Sequence, residues 1–436
     1  MTGGEVLTPP LKRWPCPIVN NRFWMHHDHV TQIASDATLS GLRSRPFPEQ
    51  EYLTRLVAVQ QRMAERSISS LIVADPANIY YLTGYNAWSF YMPQCLIVPV
   101  EGDCHLFTRT MDAAGAHYTA FLPVDRIHGY PDYLVNRPDA HPFDWVVERA
   151  MEIGVLVDEV GAYVAAELDA HFFSVRSYLA IQSGLKCSAL VDSNELVNWV
   201  RVTKSPLERE KLHTAGKIAQ RVMETALREL EPGRRQCDVV AEIQHAQALG
   251  AHKLGGDYPA IVPMLPTGET AGTPHLTWSD LPLQKGEATT IELAGVFHRY
   301  HAPLARTVVL GKAPRKLVEC ADATNEGMAA LLEKMRPGNR TCDVHREFAQ
   351  TIGKYGLTKE SRIGYSIGIG YPPDWGERTM SVRPEDETVI EENMAFHVIL
   401  GMWMDGWGYE TSESMLIGPY GPDLLTDVPR GLTAKE

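Results

Sequence analysis

From residue 48 the chain switches repeatedly between two hydrophobic periods. "EQEYLTRLVAVQQRMAERS" sets apolar residues three and four apart, which predicts an amphipathic helix, while "SLIVA", "QCLIVPV" and "CHLFTR" are short apolar or alternating runs that predict strands around a second helix, "NIYYLTGY". That order predicts an α/β domain over residues 46–198. The pattern restarts at "VTKSPLEREKLHTAGKIAQRVMETALREL": Ser205 as N-cap, Pro206 at the first helical position and Glu208 three residues after the serine form a capping box. A second domain over 199–436 is expected to start there. Residues 1–45 carry several prolines, the tract "HHDH" and little periodicity, which predicts an irregular N-terminal extension whose histidines suit either a metal ion or an exposed polar arm.

The second domain repeats itself. "EPGRRQCDVVAEIQ" returns as "RPGNRTCDVHREFA", with Pro232 and Pro337 separated by 337 − 232 = 105 positions. Each copy lies between helical patterns and precedes a Gly-rich segment and a strand pair, "ATTIELAGVFHRYHAPLARTVVLG" and "AFHVILGMWMDGWGYETSESMLIG". A duplicated unit is expected, with its two hairpins facing each other across a cleft. Within the first hairpin Glu292 stands between Ile291 and Leu293. A carboxylate on an internal strand is costly to bury unless something compensates it, either chemistry or a partner such as backbone amides or Arg306.

Composition narrows the function classes. With 436 residues, 44% hydrophobic and 22% charged, the chain has the make-up of a folded two-domain protein. A net charge of −13 with no basic run disfavours nucleic acid as a partner. The seven cysteines are scattered without metal-ligand spacing, and no apolar stretch has the length of a signal core or a membrane span; a cytoplasmic protein without membrane contact is expected.

"NIYYLTGY", "RVTKSPLERE" and the duplicated second domain resemble the creatinase and aminopeptidase-P group from about residue 48 to the C-terminus. The resemblance implies an α+β chain, with a creatinase-like N-terminal α/β domain followed by a pita-bread catalytic domain built on an internal pseudo-two-fold duplication. "GGDYPAIVPMLPTGETAGTPHLTW", "RYHAPLARTV" and "GYPPDWGERTM" are most similar to the branch of that group that opens the cyclic amidine ectoine. Peptidases of the group hold two metal ions through two Asp on the first hairpin, a His in a GHGIG-like turn and two Glu on the second hairpin. Matched residue by residue, those positions hold Glu292, Pro303, Tyr365, Ile399 and Ser412, the last beside Glu413. Proline and isoleucine ligate nothing, so the resemblance implies a site without metal or other cofactor, as in creatinase.

A Glu and a His at a metal-free cleft are the minimal parts of a general-base or nucleophilic hydrolase. Glu292 is the expected nucleophile or general base, and His275 in "GTPHLTW" matches the catalytic histidine of creatinase and is the expected proton shuttle to the leaving nitrogen. Tyr258, Tyr365, Trp375, Arg378, Glu410 and Glu413 are the expected substrate-binding residues, joined by Trp88 and Phe90 from a neighbouring subunit of a homodimer. Since Glu410 and Glu413 are three apart on a strand, at least one is expected to point outward. The implied reaction is opening of a C–N bond in a small zwitterionic cyclic amidine, ectoine or hydroxyectoine. Alternatives are another cyclic amidine or guanidino acid, a metal-dependent Xaa-Pro dipeptidase, and a non-catalytic binding protein.

Overall fold

The computed structural model describes residues 45–436; the "HHDH" tract lies outside the described residues. Helix α1 (Glu49–Glu65) buries Tyr52, Arg55, Leu56, Val59 and Met63, the three-and-four spacing read from its sequence. Strand β1 (Ile68–Val73) follows, then α2 (Pro76–Thr83), whose N-cap Asp75 accepts the Ala77 N–H. Next come β2 (Cys95–Pro99), β3 (His105–Arg109), α3 (Thr110–Thr119), β4 (Ile127–Tyr130), α4 (Pro142–Glu152), β5 (Tyr163–Ala166), α5 (Val175–Gly184) and β6 (Ala189–Asp192). The six strands form one sheet in the order β4-β3-β2-β1-β5-β6. Its pairs are parallel except β1–β2 and β2–β3, the second of which is joined by a short turn.

Helix α6 (Leu196–Arg201) leads into α7 (Pro206–Glu229), whose capping box is complete: the Glu208 N–H donates to Ser205 Oγ at 3.2 Å and the Ser205 N–H donates to the Glu208 carboxylate at 2.9 Å. Beyond it lie α8 (Gln236–Leu249), β7 (Ala288–Phe297), β8 (Tyr300–Leu310), α9 (Arg315–Lys334), α10 (Thr341–Gly353), β9 (Gly364–Tyr371), β10 (Asp374–Ser381), β11 (Ala395–Met404), β12 (Trp407–Gly418), β13 (Gly421–Leu424) and β14 (Thr433–Lys435). The second sheet runs β13-β12-β11-β9-β8-β14, with β7 on β8 and β10 on β9.

The duplication extends to single hydrogen bonds. The Gly233 N–H donates to Leu283 O at 2.8 Å and the Gly338 N–H to Ile390 O at 2.9 Å; the Gln236 N–H reaches Leu281 O and the Thr341 N–H reaches Thr388 O. Gly233 and Gly338 both have a left-handed backbone, at φ 82° and 90°, so both copies keep glycine at this turn. Side chains stitch the two hairpins together, Thr307 Oγ1 donating to Glu410 O at 2.8 Å and Ser414 Oγ to Pro303 O at 2.6 Å.

A buried polar knot fixes the first sheet against the second. Lys204 Nζ lies 2.8 Å from the Glu377 carboxylate, Arg201 donates to Asn78 Oδ1 at 2.5 Å, and Asn78 donates to Glu167 at 2.6 Å. Buried charges persist only where partners of this kind satisfy them.

Candidate active site

Strand β7 sorts its side chains by parity. Ile291 and Leu293 join the apolar core with Val222 of α7 and Ile243 of α8, whereas Ala294 and Val296 pack with Ala260 and Trp375 on the other face. Glu292 belongs to this second face and lines a cavity of about 360 Å³. Its backbone exchanges hydrogen bonds with Met264, the Glu292 N–H reaching Met264 O at 3.1 Å and the Met264 N–H reaching Glu292 O at 2.9 Å. The segment around Met264 therefore roofs the strand edge. The roof is anchored by His301, which accepts the Ala260 N–H on Nε2 at 2.9 Å and donates from Nδ1 to Arg299 O at 2.8 Å.

The cavity walls are unusually rich in charge. Glu292 of β7, Asp374 of β10 and Glu410 of β12 supply carboxylates; His275, Lys359 and Arg362 supply the basic groups; Tyr365, Ile399, Met264 and Trp403 complete the wall. Burial, with the Asp374 charge adding to it, pushes the Glu292 carboxyl up to about 7. Burial and then the charge of Glu292 hold Glu410 well above the usual carboxylate range, while Lys359 draws it back. Lys359 is lowered to about 8 by burial, with Glu410 opposing. Perturbed groups converging on one cavity are the physical mark of a reaction site.

Two of the positions matched to the metal ligands of family peptidases, Tyr365 and Ser412, belong to a hydrogen-bond chain. The Trp375 indole N–H donates to the Tyr365 hydroxyl at 2.9 Å, that hydroxyl meets His397 Nδ1 at 2.9 Å, and His397 Nε2 meets Ser412 Oγ at 2.8 Å. Ser412 Oγ also accepts the Ala305 N–H at 2.7 Å. Burial takes the His397 imidazole down to about 3, so it is neutral in this chain of bonds. Pro303 contributes only its carbonyl and Ile399 only apolar surface. Among the described residues, no group of three or more His, Cys, Asp or Glu side chains is placed to hold a metal ion. The residues present do not fit a two-metal centre.

The structure brings together four of the expected site residues: Glu292, His275, Tyr365 and Glu410 all line the cavity. His275, at φ 66° in its loop, is exposed beside Pro274. The others lie elsewhere. Glu413 points to the opposite face of β12, where Arg306 meets it at 2.9 Å; neither Glu410 nor Glu413 is solvated, because β12 is covered on both faces. Arg306 is thereby committed to Glu413 and to carbonyls, and does not neutralise Glu292. Trp375 is fully buried and acts through Tyr365 rather than on the cavity. Arg378 pairs with Asp75 at 2.6 Å beside a crevice of only about 20 Å³, too small for a substrate. Trp88, Phe90 and Tyr258 form a separate aromatic group, Trp88 lying 5.0 Å from Phe90 and 4.7 Å from Tyr258 between ring centres.

Lys359, Arg362 and His397 were not among the residues singled out from the sequence. "TKESR" reads as a solvated turn, and nothing in it signals that Lys359 Nζ reaches across to Gly401 O of β11 at 2.7 Å. His397 in "AFHVILG" carries a weak signal, a lone imidazole within an apolar strand.

Comparison with known proteins places this geometry. A family model for the creatinase/prolidase N-terminal domain matches residues 55–203, and one for metallopeptidase family M24 matches residues 210–419. The chain is 44% identical over 398 residues to the ectoine hydrolase of Halomonas elongata, covering 90% of this chain and 99% of that protein. It is 22% identical to the Xaa-Pro dipeptidase of Pyrococcus furiosus, covering 87% and 99% of the two chains. In fold it is similar to the prolidase of Thermococcus sibiricus, with a TM-score of 0.75 at 17% identity, covering 88% of this chain and 99% of that one. The two family matches and the 44% identity cover both domains, and the chain belongs to the creatinase/aminopeptidase P family of hydrolytic enzymes.

Proposed function

We propose that this enzyme opens the ring of a small cyclic amidine bearing a carboxylate, ectoine or hydroxyectoine, to an N-acetyl diamino acid, and does so without a metal ion. The observation that carries the reading is Glu292: a buried carboxyl at about 7, in a cavity with two more carboxylates and, among the described residues, no ion-pair partner of its own. The identity to an ectoine hydrolase supports the substrate class.

The chemistry follows from charge. An amidinium is planar, cationic and electrophilic at its central carbon. Its arrival beside Glu292 and Glu410 favours their ionised forms, so the cavity that raises the Glu292 pKa when empty releases it when filled. Ionised Glu292 then either takes a proton from water or attacks the amidine carbon itself. The new C–O bond forms, the C–N bond breaks, and the departing nitrogen keeps its electron pair and receives a proton from His275; on the covalent route water then adds to the same carbon and the bond to Glu292 breaks, returning its carboxylate. One water is consumed, leaving an amide and an amine.

The test is a panel of ectoine, hydroxyectoine, creatine and an Xaa-Pro dipeptide, followed by mass spectrometry on enzyme dialysed against chelator. Ring-opened product from ectoine or hydroxyectoine is expected. Cleavage of the dipeptide alone, and only after metal is restored, would overturn the reading.

We propose further that the enzyme is a cytoplasmic homodimer. Trp88 is 58% exposed although it touches Phe90 and Tyr258, which supports a second copy of the chain covering it. The six described cysteines are all free, in keeping with a reducing compartment.

A further inference from the structure

Three strands and one loop divide the charge of the cavity. The carboxylates of Glu292, Asp374 and Glu410 stand on β7, β10 and β12, whereas Lys359 and Arg362 both come from the short segment between α10 and β9. Three acidic and two basic groups lining a space of about 360 Å³ would be expected to pair off. They do not: among the described residues, neither Lys359 nor Arg362 has a carboxylate within 4.0 Å, although surface ion pairs occur throughout the rest of the chain.

Each cation is instead held by neutral groups that leave part of it unused. Lys359 Nζ donates to Gly401 O at 2.7 Å and to Ser361 Oγ at 3.0 Å, which accounts for two of the three ammonium protons. Arg362 gives one hydrogen bond, from Nη1 to Ser381 Oγ at 3.2 Å, and its guanidinium lies 4.5 Å from the centre of the Tyr365 ring. A carbonyl and a hydroxyl fix the ammonium without discharging it, and an aromatic face does the same for the guanidinium.

We infer that Lys359 and Arg362 form a carboxylate-binding subsite, so that the enzyme selects cyclic amidines that carry an acid group and turns their amidinium toward Glu292 and Glu410. The inference rests on the amidine-hydrolase reading and names the feature by which that site chooses its substrate. Lys359 supplies a point charge beside the strand floor. Arg362, more exposed, supplies a planar pair of donors matching the two oxygens of a carboxylate. Lowered to about 8, Lys359 is charged at neutral pH, and an incoming carboxylate stabilises that form.

The plain structural alternative is a lysine that pins its loop to β11 and a solvated arginine. The two readings differ in what they do to discrimination. The experiment compares ectoine with 2-methyl-1,4,5,6-tetrahydropyrimidine, the same cyclic amidine without the carboxylate, in the wild type, Lys359→Met, Lys359→Arg and Arg362→Gln. The wild type should favour ectoine by roughly a hundredfold or more in kcat/KM, since a site built to bind a charged group rejects the analogue that lacks it. Lys359→Met and Arg362→Gln should each cut that ratio by roughly tenfold or more, chiefly through KM for ectoine, and Lys359→Arg should restore part of it.

Equal losses on both compounds would overturn the subsite and leave a loop-pinning role. A wild type indifferent to the carboxylate would overturn it too. Calorimetric binding of the same two compounds separates this inference from the reaction on which it rests. Carboxylate-dependent binding without turnover would refute the hydrolase reading and keep the subsite, whereas turnover with carboxylate-independent binding would refute the subsite alone.

Discussion

Glu292 is costly to bury, and the proposed reaction depends on it. Its folded-state pKa of about 7 lies above the ordinary glutamate value of 4.5, so the folded protein binds the proton more tightly than the unfolded chain. The stability this contributes is complete below pH 4.5 and is lost as pH rises through 7, where a buried carboxylate must ionise. Glu292→Gln keeps the shape and removes the charge. It should stabilise the protein relative to wild type at pH 8 by roughly 1–3 kcal/mol, with the gap closing toward pH 5, as thermal unfolding at the two pH values will show. The same change should lower kcat by roughly a hundredfold or more. His275→Ala should do comparable damage, and the double variant little more, because residues that act as one unit fail together.

The pH profile belongs to the same scale. In kcat/KM the rising limb should fall near pH 7 as the Glu292 cluster ionises, and the descending limb near pH 8 as Lys359 loses its proton. Because Glu292 and Glu410 influence each other, the rising limb reports the cluster rather than one carboxyl. Asp374 raises the Glu292 pKa by like-charge repulsion, so Asp374→Asn should move that limb to lower pH. A limb that stays in place would remove Asp374 from the cluster.

At the scale of elements, β7 is held at its depth by close approach to α7. A Cβ on Gly295 would lie 2.2 Å from both Ala215 O and Ala219 N, backbone atoms of the helix that cannot swing aside. Gly295→Ala should therefore push the strand from the helix and destabilise the protein by roughly 2 kcal/mol or more, seen as a lower denaturant midpoint. Ser205→Ala, which removes one half of a capping box, should cost only about 1 kcal/mol.

Elements of this kind were legible in the sequence because each leaves a local trace: three-and-four spacing in α1, Ser-Pro-x-Glu before α7, and the repeated Pro-Gly turns. Glu292 was legible for the opposite reason, as a local contradiction between charge and strand. Orientation on β12 was not. Both faces of that strand are covered, so no alternation distinguishes Glu410, in the cavity, from Glu413, locked to Arg306. Lys359 and Arg362 were illegible because their roles arise from a chain reversal that sets a polar turn against β11, a long-range event with no periodic signature. Arg378 and Trp375 misled because a crowded motif, "PPDWGER", distributes its side chains among a buried indole, an ion pair and the cavity.

At the scale of the whole molecule, the chain keeps the fold of its family while Pro303, Tyr365, Ile399 and Ser412 stand at positions matched to the metal ligands of the family's peptidases. The duplicated hairpins meet, and the hydrogen-bond chain Trp375, Tyr365, His397, Ser412 includes two of those positions. Tyr365→Phe should weaken turnover without creating any dependence on added metal, since no ligand is lost. Sedimentation should give about twice the chain mass of 48.6 kDa for the proposed dimer, and a fully active monomer would contradict it.

The most direct test is turnover of ectoine, followed by mass spectrometry, in chelator-stripped wild type and in Glu292→Gln measured side by side. The wild type should retain its full rate without metal, and the variant should fall to roughly one per cent of it or below. Loss of wild-type activity on stripping with recovery on adding manganese, or a variant that keeps pace with the wild type, would contradict a reaction driven by Glu292 in a metal-free cavity.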